Sequence, residues 1–205
     1  ACSLGSLLSV EQVIECTNMI SETKIDSIWI PETWGMENFS MLGAVANNTK
    51  TQKIGSSIIN IYSRSPSTIA MGSATIDTLS NGRLILGLGT SSVPIVEDFH
   101  GEKFENPVQR MREYVEIIRL SLTKKQINYS GIIFNLKNFT LLIDPKRKSI
   151  PIYLAAINEK MVNLCWEIAD GVIFYLRPLD EMKKTISKMQ SQKNIDVACQ
   201  IITCI

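Results

Sequence analysis

Glu32 is the side chain best suited to exchange a proton with a substrate. It follows a short apolar stretch and stands between Trp29 and Trp34 in the sequence. Apolar rings around a carboxyl group favour its protonated form, which prepares the group for general acid or base catalysis. The alternative for a single carboxylate at a loop is a solvated or salt-bridged glutamate, and the sequence leaves both interpretations open.

A second candidate is the glycine-rich exit from another apolar run, where Gly87-Leu-Gly89 is followed by the hydroxyl of Thr90. A dinucleotide-binding loop would need a third glycine where Ser92 stands, and Pro94 prevents the immediate start of a helix. We therefore expect the two glycines to allow a flat ligand to approach the backbone closely. A tight turn with a purely structural role is the alternative.

The other reactive residue types favour neither a metal site nor a nucleophilic enzyme. His100 is the only histidine, and no nucleophile elbow accompanies it, so we expect it on the surface or on a lid. The five cysteines include no C-x-x-C pair and cannot form a common zinc set with one histidine. Asp170-Gly171 is more typical of a turn than of catalysis.

Composition excludes several classes of partner. The 205 residues are 45% hydrophobic and 20% charged, which is typical of an ordinary globular protein. Lys and Arg number 21 against 20 Asp and Glu, so no global field favours nucleic acid or an anionic membrane. No run of about eighteen apolar residues is present, and the first residues lack the charged-then-apolar pattern of a signal peptide, so we expect neither export nor a membrane span. We expect a cytoplasmic protein with reduced thiols and a small-molecule substrate.

The elements that must position these residues alternate between strand and helix. A Ser9/Gln12 capping box and the starts Ser65-Pro66 and Asn106-Pro107 mark three helix beginnings. The periodicity predicts helices over 9–22, 39–49, 65–79, 106–122, 158–169 and 179–189. It predicts strands over 27–31, 52–61, 83–88, 152–156, 171–175 and 197–205, with a short first strand within 1–8. A hairpin is expected from strands 127–134 and 139–143, with its turn at 135–138.

Repeated βα units with continuous apolar strands require a parallel sheet covered by helices. Such a sheet is either a closed (β/α) barrel or an open, doubly wound sheet. Polar or glycine-containing segments follow several strands, whereas an open sheet would concentrate them at one point. The pattern therefore favours a barrel. The exits concerned are at residues 32–33, 60–63, 89–91 and 156–158.

Four motifs together resemble the bacterial luciferase-like superfamily, and within it the coenzyme F420-dependent reductases such as methylenetetrahydromethanopterin reductase. The third motif below is the most specific, because a helix that ends in Ser-x-Gly-Arg before Gly-x-Gly is habitual in that superfamily. The motifs are Asp26-Ser-Ile-Trp-Ile-Pro-Glu-Thr-Trp34, Lys53-Ile-Gly-Ser-Ser-Ile-Ile-Asn-Ile-Tyr-Ser-Arg-Ser-Pro66, Ile76-Asp-Thr-Leu-Ser-Asn-Gly-Arg-Leu-Ile-Leu-Gly-Leu-Gly89, and Pro151-Ile-Tyr-Leu-Ala-Ala156 with Ile168-Ala-Asp-Gly171.

The resemblance implies a TIM-type barrel that holds coenzyme F420, or alternatively FMN, at its C-terminal mouth. Glu32 would lie beside the cofactor ring as the catalytic residue. A non-prolyl cis peptide is expected at Ser57-Ile58, supporting the back of the ring. The remaining cofactor-binding residues implied by the resemblance, several of them along the polar tail, are Asn60, Gly89, Thr90, Ala156, Ile157 and Asn158.

The length is short for this fold, since a complete barrel typically needs about 250 residues and eight strands. Only seven barrel strands can be assigned, so we expect one luciferase-like barrel domain over 1–205 that is truncated at both ends. Such a chain is a fragment, or an incomplete barrel that closes by forming a homodimer and so covers its open edges.

The resulting hypothesis is an F420-dependent oxidoreductase that transfers a hydride between the deazaflavin and a small organic substrate. One alternative is an FMN-dependent luciferase-like monooxygenase, which needs a flavin reductase as partner. The other is a non-catalytic flavin-binding relative.

Overall fold

A computed structural model of the chain describes residues 1–5, 7–124 and 126–201. The end of the strand predicted over 197–205 and Cys204 lie outside the described residues. The helices are α1 (Val10–Ser21), α2 (Asn38–Asn48), α3 (Pro66–Leu79), α4 (Pro107–Thr123), α5 (Glu159–Ile168) and α6 (Leu179–Gln190). The strands are β1 (Cys2–Ser3), β2 (Ser27–Ile30), β3 (Lys53–Ser56), β4 (Ile59–Asn60), β5 (Leu84–Gly89), β6 (Ile127–Ser130), β7 (Asn135–Phe139), β8 (Ile152–Ala155), β9 (Gly171–Tyr175) and β10 (Asp196–Gln200).

The main sheet is parallel throughout and runs in the order β1-β2-β3-β5-β8-β9-β10, with β4 also pairing with β5. Each strand follows its predecessor around the sheet, as in a TIM-type barrel. Seven barrel strands are therefore present among the described residues, which confirms the predicted TIM-type barrel arrangement. Strands β1 and β10 form the two edges of the described sheet.

Strand residues alternate between two apolar layers. Ile28, Ile30 and their counterparts on the other strands belong to the large core shared with the helices. The barrel interior contains a smaller cluster of Trp29, Ile85, Tyr153 and Ile173. This division is the expected one for a barrel, in which helices cover the outer face and inward side chains fill the centre.

The predicted helix starts are largely confirmed. The Ser9/Gln12 capping box is present, and the Ser65 side chain accepts the Thr68 N–H at 3.2 Å. Helix α4 begins at Pro107 as expected, but Asn106 does not cap it and instead has a left-handed backbone with φ 50°. Proline fixes the first turn there without a side-chain cap.

The strand predicted over 52–61 is interrupted by a bulge at Ser57-Ile58, whose peptide bond is cis as predicted. The Ser56 hydroxyl donates to the Gly87 carbonyl and accepts the Gly87 N–H, both at 2.8 Å. The Ser56 side chain thus replaces main-chain hydrogen bonds at the point where β3 leaves its regular pairing with β5. Pairing with β5 resumes where Ile59 lies opposite Leu88 and Asn60 opposite Gly89.

The hairpin is confirmed, but its predicted turn at 135–138 is wrong. The strands are β6 and β7, and the turn lies between them at residues 131–134. Glu113 of α4 explains this position, because its buried carboxylate accepts the N–H groups of Ile132, Ile133 and Phe134. Burial acts to raise the pKa of Glu113, but the hydrogen bonds from Gln109 and these amides hold it below its ordinary value.

Arg83 joins the segment before β5 to the carboxyl end of α2. Its guanidinium donates to the carbonyls of Ala46, Thr49 and Gln52 at 2.6–2.9 Å, and to the Ser80 carbonyl. The last carbonyls of a helix have no partner within the helix, so a cation there satisfies them. This contact explains the arginine in the Ser-x-Gly-Arg motif. No helix of the described residues is long and apolar enough to cross a membrane.

Two glycine substitutions test the packing of the bulge against β5. A Cβ at Gly87 would overlap the Ser56 carbonyl oxygen, whereas a Cβ at Gly43 in α2 would meet only Ile76 Cδ1 at 3.7 Å. We predict that Gly87→Ala lowers the free energy of unfolding by about 3 kcal/mol or more. Gly43→Ala should raise it by about 0.5–1 kcal/mol because alanine favours the helix. Urea denaturation measures both, and equal effects of the two variants would contradict the account.

Candidate active site

The predicted site residues lie where the strands of the barrel end. Because the strands are parallel, their carboxyl ends meet at one rim, which we call the mouth. Glu32 follows β2, the bulge separates β3 from β4, and Gly89 ends β5. The loop after β8 begins at Ala156 and leads into α5. The structure therefore brings together the ends of the strands on which the sequence placed the site.

Ile58, Gly89 and Ala155 form a continuous wall at the mouth. A Cβ added to Gly89 would lie 2.5 Å from Ile58 Cδ1 and 3.4 Å from Ala155 Cβ. The space beside Gly87 and Gly89 is thus filled by the Ser56 carbonyl and the Ile58 side chain. The glycines thus leave room for the bulge and for Ile58 on their Cβ side, and the direct approach of a flat ligand to their backbone stays a prediction.

Two buried polar atoms beside this wall have no hydrogen-bond partner among the described residues. They are the Ser57 hydroxyl oxygen and the Asn60 amide nitrogen. The other end of the Asn60 amide is occupied, since its oxygen accepts the Tyr62 N–H at 2.9 Å. An unsatisfied buried polar group costs about 1–3 kcal/mol, so a pair of them at a mouth is suited to a ligand with polar ring atoms.

Glu32 is held in an ion pair rather than between aromatic rings. Both of its oxygens accept from Arg64, at 2.5 and 2.8 Å, and the two side chains are only 11% and 15% exposed. The carboxylate also accepts the main-chain N–H of Asn38 at 3.1 Å and of Asn60 at 3.4 Å. These contacts fix the position of the carboxylate between the two loops and the start of α2.

The two indoles expected around Glu32 are directed elsewhere. Trp29 faces the barrel interior, where its ring centroid lies 5.8 Å from that of Tyr153. Trp34 is exposed and packs edge-to-face against Phe99. Trp29 belongs to β2 and Trp34 to the loop after it, and neither ring packs around Glu32. The salt-bridged alternative therefore describes the geometry of Glu32.

Arg64 is the site residue that the sequence did not reveal. Its guanidinium also contacts Glu37 and lies 5.6 Å from the centroid of the Phe39 ring. Hydrogen bonds to Glu32 raise the pKa of Arg64 above its ordinary value, although burial acts in the opposite direction. Arg64 lies within the second motif, but its partner Glu32 precedes it by 32 residues, and no local sequence pattern links the two.

The loop after β8 supplies the remaining predicted residues. Ala156 is buried, and Ile157 is 77% exposed. The Asn158 side chain accepts the Met161 N–H at 2.9 Å and so caps α5. Asn158 therefore organises the amino end of a helix, at which the free N–H groups and the helix dipole favour an anion. Thr90 is half-buried after β5.

A cavity of about 520 Å³ lies within the barrel and reaches the bulge. Its wall includes Ser57 at the bulge, Trp29, and residues of both edge strands β1 and β10. Within it the Tyr153 hydroxyl donates to Asp196. Burial, and then this hydrogen bond, raise the pKa of Tyr153 above its ordinary value, so the phenol remains protonated at neutral pH.

The residues set aside on sequence grounds make no hydrogen bond or ion pair with Glu32 or Arg64 among the residues that the structure describes. His100 is exposed. Asp170 accepts the Ile152 N–H at 2.9 Å and pairs with Arg119, so it ties α4 to the start of β8. Within the part of the chain that the structure describes, no group of three or more His, Cys, Asp or Glu side chains could hold a metal ion.

Comparison with known proteins finds one family. The family model described as luciferase-like monooxygenase matches residues 3–205. A 5,10-methylenetetrahydromethanopterin reductase of Archaeoglobus fulgidus is 37% identical over 156 residues, which is 76% of this chain and 46% of the relative. A Mycobacterium tuberculosis protein assigned as a coenzyme F420-dependent oxidoreductase is 34% identical over 164 residues, or 73% of this chain and 47% of the relative.

The solved structure of the coenzyme F420-dependent tetrahydromethanopterin reductase from Methanopyrus kandleri has a similar fold, with a TM-score of 0.87 at 22% identity. The match covers 97% of this chain and 64% of that structure. The chain spans about half the length of the two relatives in sequence.

A double-mutant cycle tests the ion pair at the mouth. We predict that Glu32→Gln and Arg64→Met each lower the free energy of unfolding by about 2–4 kcal/mol, because each leaves a largely buried charge without its partner. The double variant should lose less than the sum of the two, with a coupling of about 1–3 kcal/mol. Glu37→Gln is the control, since the Glu37 side chain is 45% exposed and should cost about 1 kcal/mol or less. Additive single effects in urea denaturation would exclude the pairing.

Proposed function

The chain belongs to the luciferase-like monooxygenase family, and on that premise we propose that it is an F420-dependent oxidoreductase. In this proposal a hydride passes between the deazaflavin and a small organic substrate. Relatives named for F420-dependent activity support it. The observation that carries it is the bulge at the mouth, where the buried Ser57 hydroxyl and Asn60 amide nitrogen, close to Ile58 in the chain, have no partner in the described part of the chain.

These residues fit one side and one edge of a tricyclic ring. Ile58 offers an apolar side chain supported from behind by Gly89 and Ala155. Ser57 and Asn60 offer hydrogen-bond donors of the kind that polar ring atoms accept. A ring that accepts from both would satisfy two groups that are otherwise buried without partners.

The polar tail of the cofactor would then run towards the loop after β8. Thr90 offers a hydroxyl on the way, and Ala156 and Ile157 would line the path. The amino end of α5, which Asn158 caps, would bind the phosphate group through its free N–H groups.

When bound, reduced F420 supplies a hydride to an electrophilic carbon of the substrate. The chain would contribute binding and orientation. Glu32, held by Arg64, accepts the Asn60 N–H and so fixes the exit of β4 at which the Asn60 side chain is presented. The predicted role of Glu32 in proton exchange would require its carboxylate to leave Arg64, and that role stays a prediction.

The second candidate is an FMN-dependent monooxygenase that depends on a separate flavin reductase. The description of the matching family model favours it. FMN shares a tricyclic ring and a phosphate with F420, so the same residues would bind it.

Titration of F420, followed by its fluorescence, tests the ring site. We predict saturable binding that Asn60→Ser weakens about three- to tenfold, because serine removes the amide donor but can still accept the Tyr62 N–H. Asn48→Ser is the matched control, since the Asn48 amide donates to Ala44 within α2 and lies away from the mouth. Titration of FMN on the same samples separates the two candidates. Wild-type protein that binds F420 no better than a protein of another family would exclude the proposal.

Asn158→Asp tests the phosphate site. Aspartate keeps the helix cap but places a negative charge where the phosphate is proposed to bind. We predict about tenfold weaker binding of F420, with binding of the deazaflavin that lacks the phosphate tail changed less than twofold. Equal losses for both ligands would place the phosphate elsewhere.

A further inference from the structure

Trp34 and Phe99 form an exposed aromatic pair at the mouth, which we call the clasp. Their ring centroids lie 5.8 Å apart with an interplanar angle of 89°. Both remain largely exposed, at 74% and 59%, although they contact each other. Large aromatic side chains gain free energy when buried, so two of them displayed together at a mouth indicate a contact surface for a ligand.

The backbone that presents Phe99 is anchored. Phe99 ends a short π-helical segment over Ile95–Phe99, in which Val96 is fully buried. The Val96 carbonyl accepts the Glu102 N–H at 3.1 Å, and the Glu97 carboxylate accepts the Phe104 N–H at 3.1 Å. The segment thus packs inward while the Phe99 ring stays outside, and π-helical turns are frequent at functional sites.

The backbone before and after Trp34 is anchored too. Glu32 is bound by Arg64 on one side. On the other side Asn38 is buried, and its amide donates to the Ile30 carbonyl at 2.7 Å. Both rings of the clasp are therefore exposed side chains on fixed loops, which reduces the conformational entropy that a ligand must remove.

The clasp stands beside the proposed ring site. Strand β3 lies between β2 and β5 in the sheet, so the loops that follow β2 and β5 flank the exit of β3. Trp34 belongs to the first of these loops and Phe99 to the second. Their contact spans the side of the mouth at which the Ser57-Ile58 bulge lies.

Charge around the clasp disfavours an anionic ligand. The loop over 90–106 contains four acidic residues (Glu97, Asp98, Glu102 and Glu105) and one lysine, Lys103. Arg64, a cation of the neighbouring loop, is already bound to Glu32 and Glu37. A carboxylate or sulfonate on the substrate would meet a net negative loop whose neighbouring arginine, Arg64, is already paired with two carboxylates.

From these observations we propose that the Trp34–Phe99 clasp selects the substrate, and that it selects an uncharged, flat ring. This inference rests on the proposed function, because it places the substrate beside the deazaflavin. The two rings offer an edge and a face to a planar molecule, whereas a compact aliphatic substrate would leave them exposed.

The test uses menadione, an uncharged flat quinone, and 1,4-naphthoquinone-2-sulfonate, its anionic counterpart. Binding of each is measured by equilibrium dialysis, to the wild-type protein with and without F420. We expect menadione to bind at least about fivefold more tightly than the sulfonate. The double variant Trp34→Ala/Phe99→Ala should lose at least about fivefold in menadione affinity, and Trp34→Phe should retain most of it.

Two controls keep the outcomes apart. Leu142→Ala removes a side chain that is also exposed but belongs to the segment after the hairpin, and it should leave menadione binding unchanged. The affinity for F420 should change less than about twofold in the clasp variants. If the wild type fails to bind F420, the proposed function is wrong. Dialysis of the cofactor-free protein then still shows whether the clasp binds menadione. Equal binding of the two quinones, or of menadione to wild type and double variant, would overturn the inference.

Discussion

The close approach of the bulge to β5 is the constraint on which the mouth depends. Strand β3 cannot continue in register past Ser56, and the Ser56 hydroxyl takes over the pairing with Gly87. Glycine is required at that position because any Cβ would overlap the Ser56 carbonyl. The bulge then turns Ile58 towards Gly89, and it leaves the Ser57 hydroxyl and the Asn60 amide nitrogen buried without partners among the residues that the structure describes. Backbone geometry in two neighbouring strands thus prepares the surface proposed to receive the cofactor ring.

The ion pair of Glu32, which follows the adjacent strand β2, stabilises the same arrangement. Glu32 binds Arg64 and also accepts the Asn60 N–H, so the loop after β2 fixes the exit of β4. Glu32 thus contributes to the site by positioning the backbone at Asn60. The edge-to-face contact of Trp34 with Phe99 then joins this loop to the loop after β5.

Most of the architecture could be predicted from the sequence, because it depends on local patterns. Continuous apolar runs and helix caps such as Ser9 and Ser65 determine the alternation of strand and helix. The hairpin turn could not be predicted, because Glu113 on a separate helix positions it through three amide hydrogen bonds. The predicted apolar surroundings of Glu32 were wrong for a similar reason, because Arg64, which binds its carboxylate, lies 32 residues later in the sequence. The cis peptide at Ser57-Ile58 was predicted through the family resemblance rather than from local physics.

A crystal structure of the protein soaked with F420 tests the central claim most directly. The account predicts that the deazaflavin ring lies against Ile58, accepts hydrogen bonds from Ser57 and Asn60, and leaves the Glu32–Arg64 ion pair intact. A ring bound in the barrel-interior cavity beside Trp29 and Tyr153, with the Ser57 and Asn60 groups still unpartnered, would contradict it.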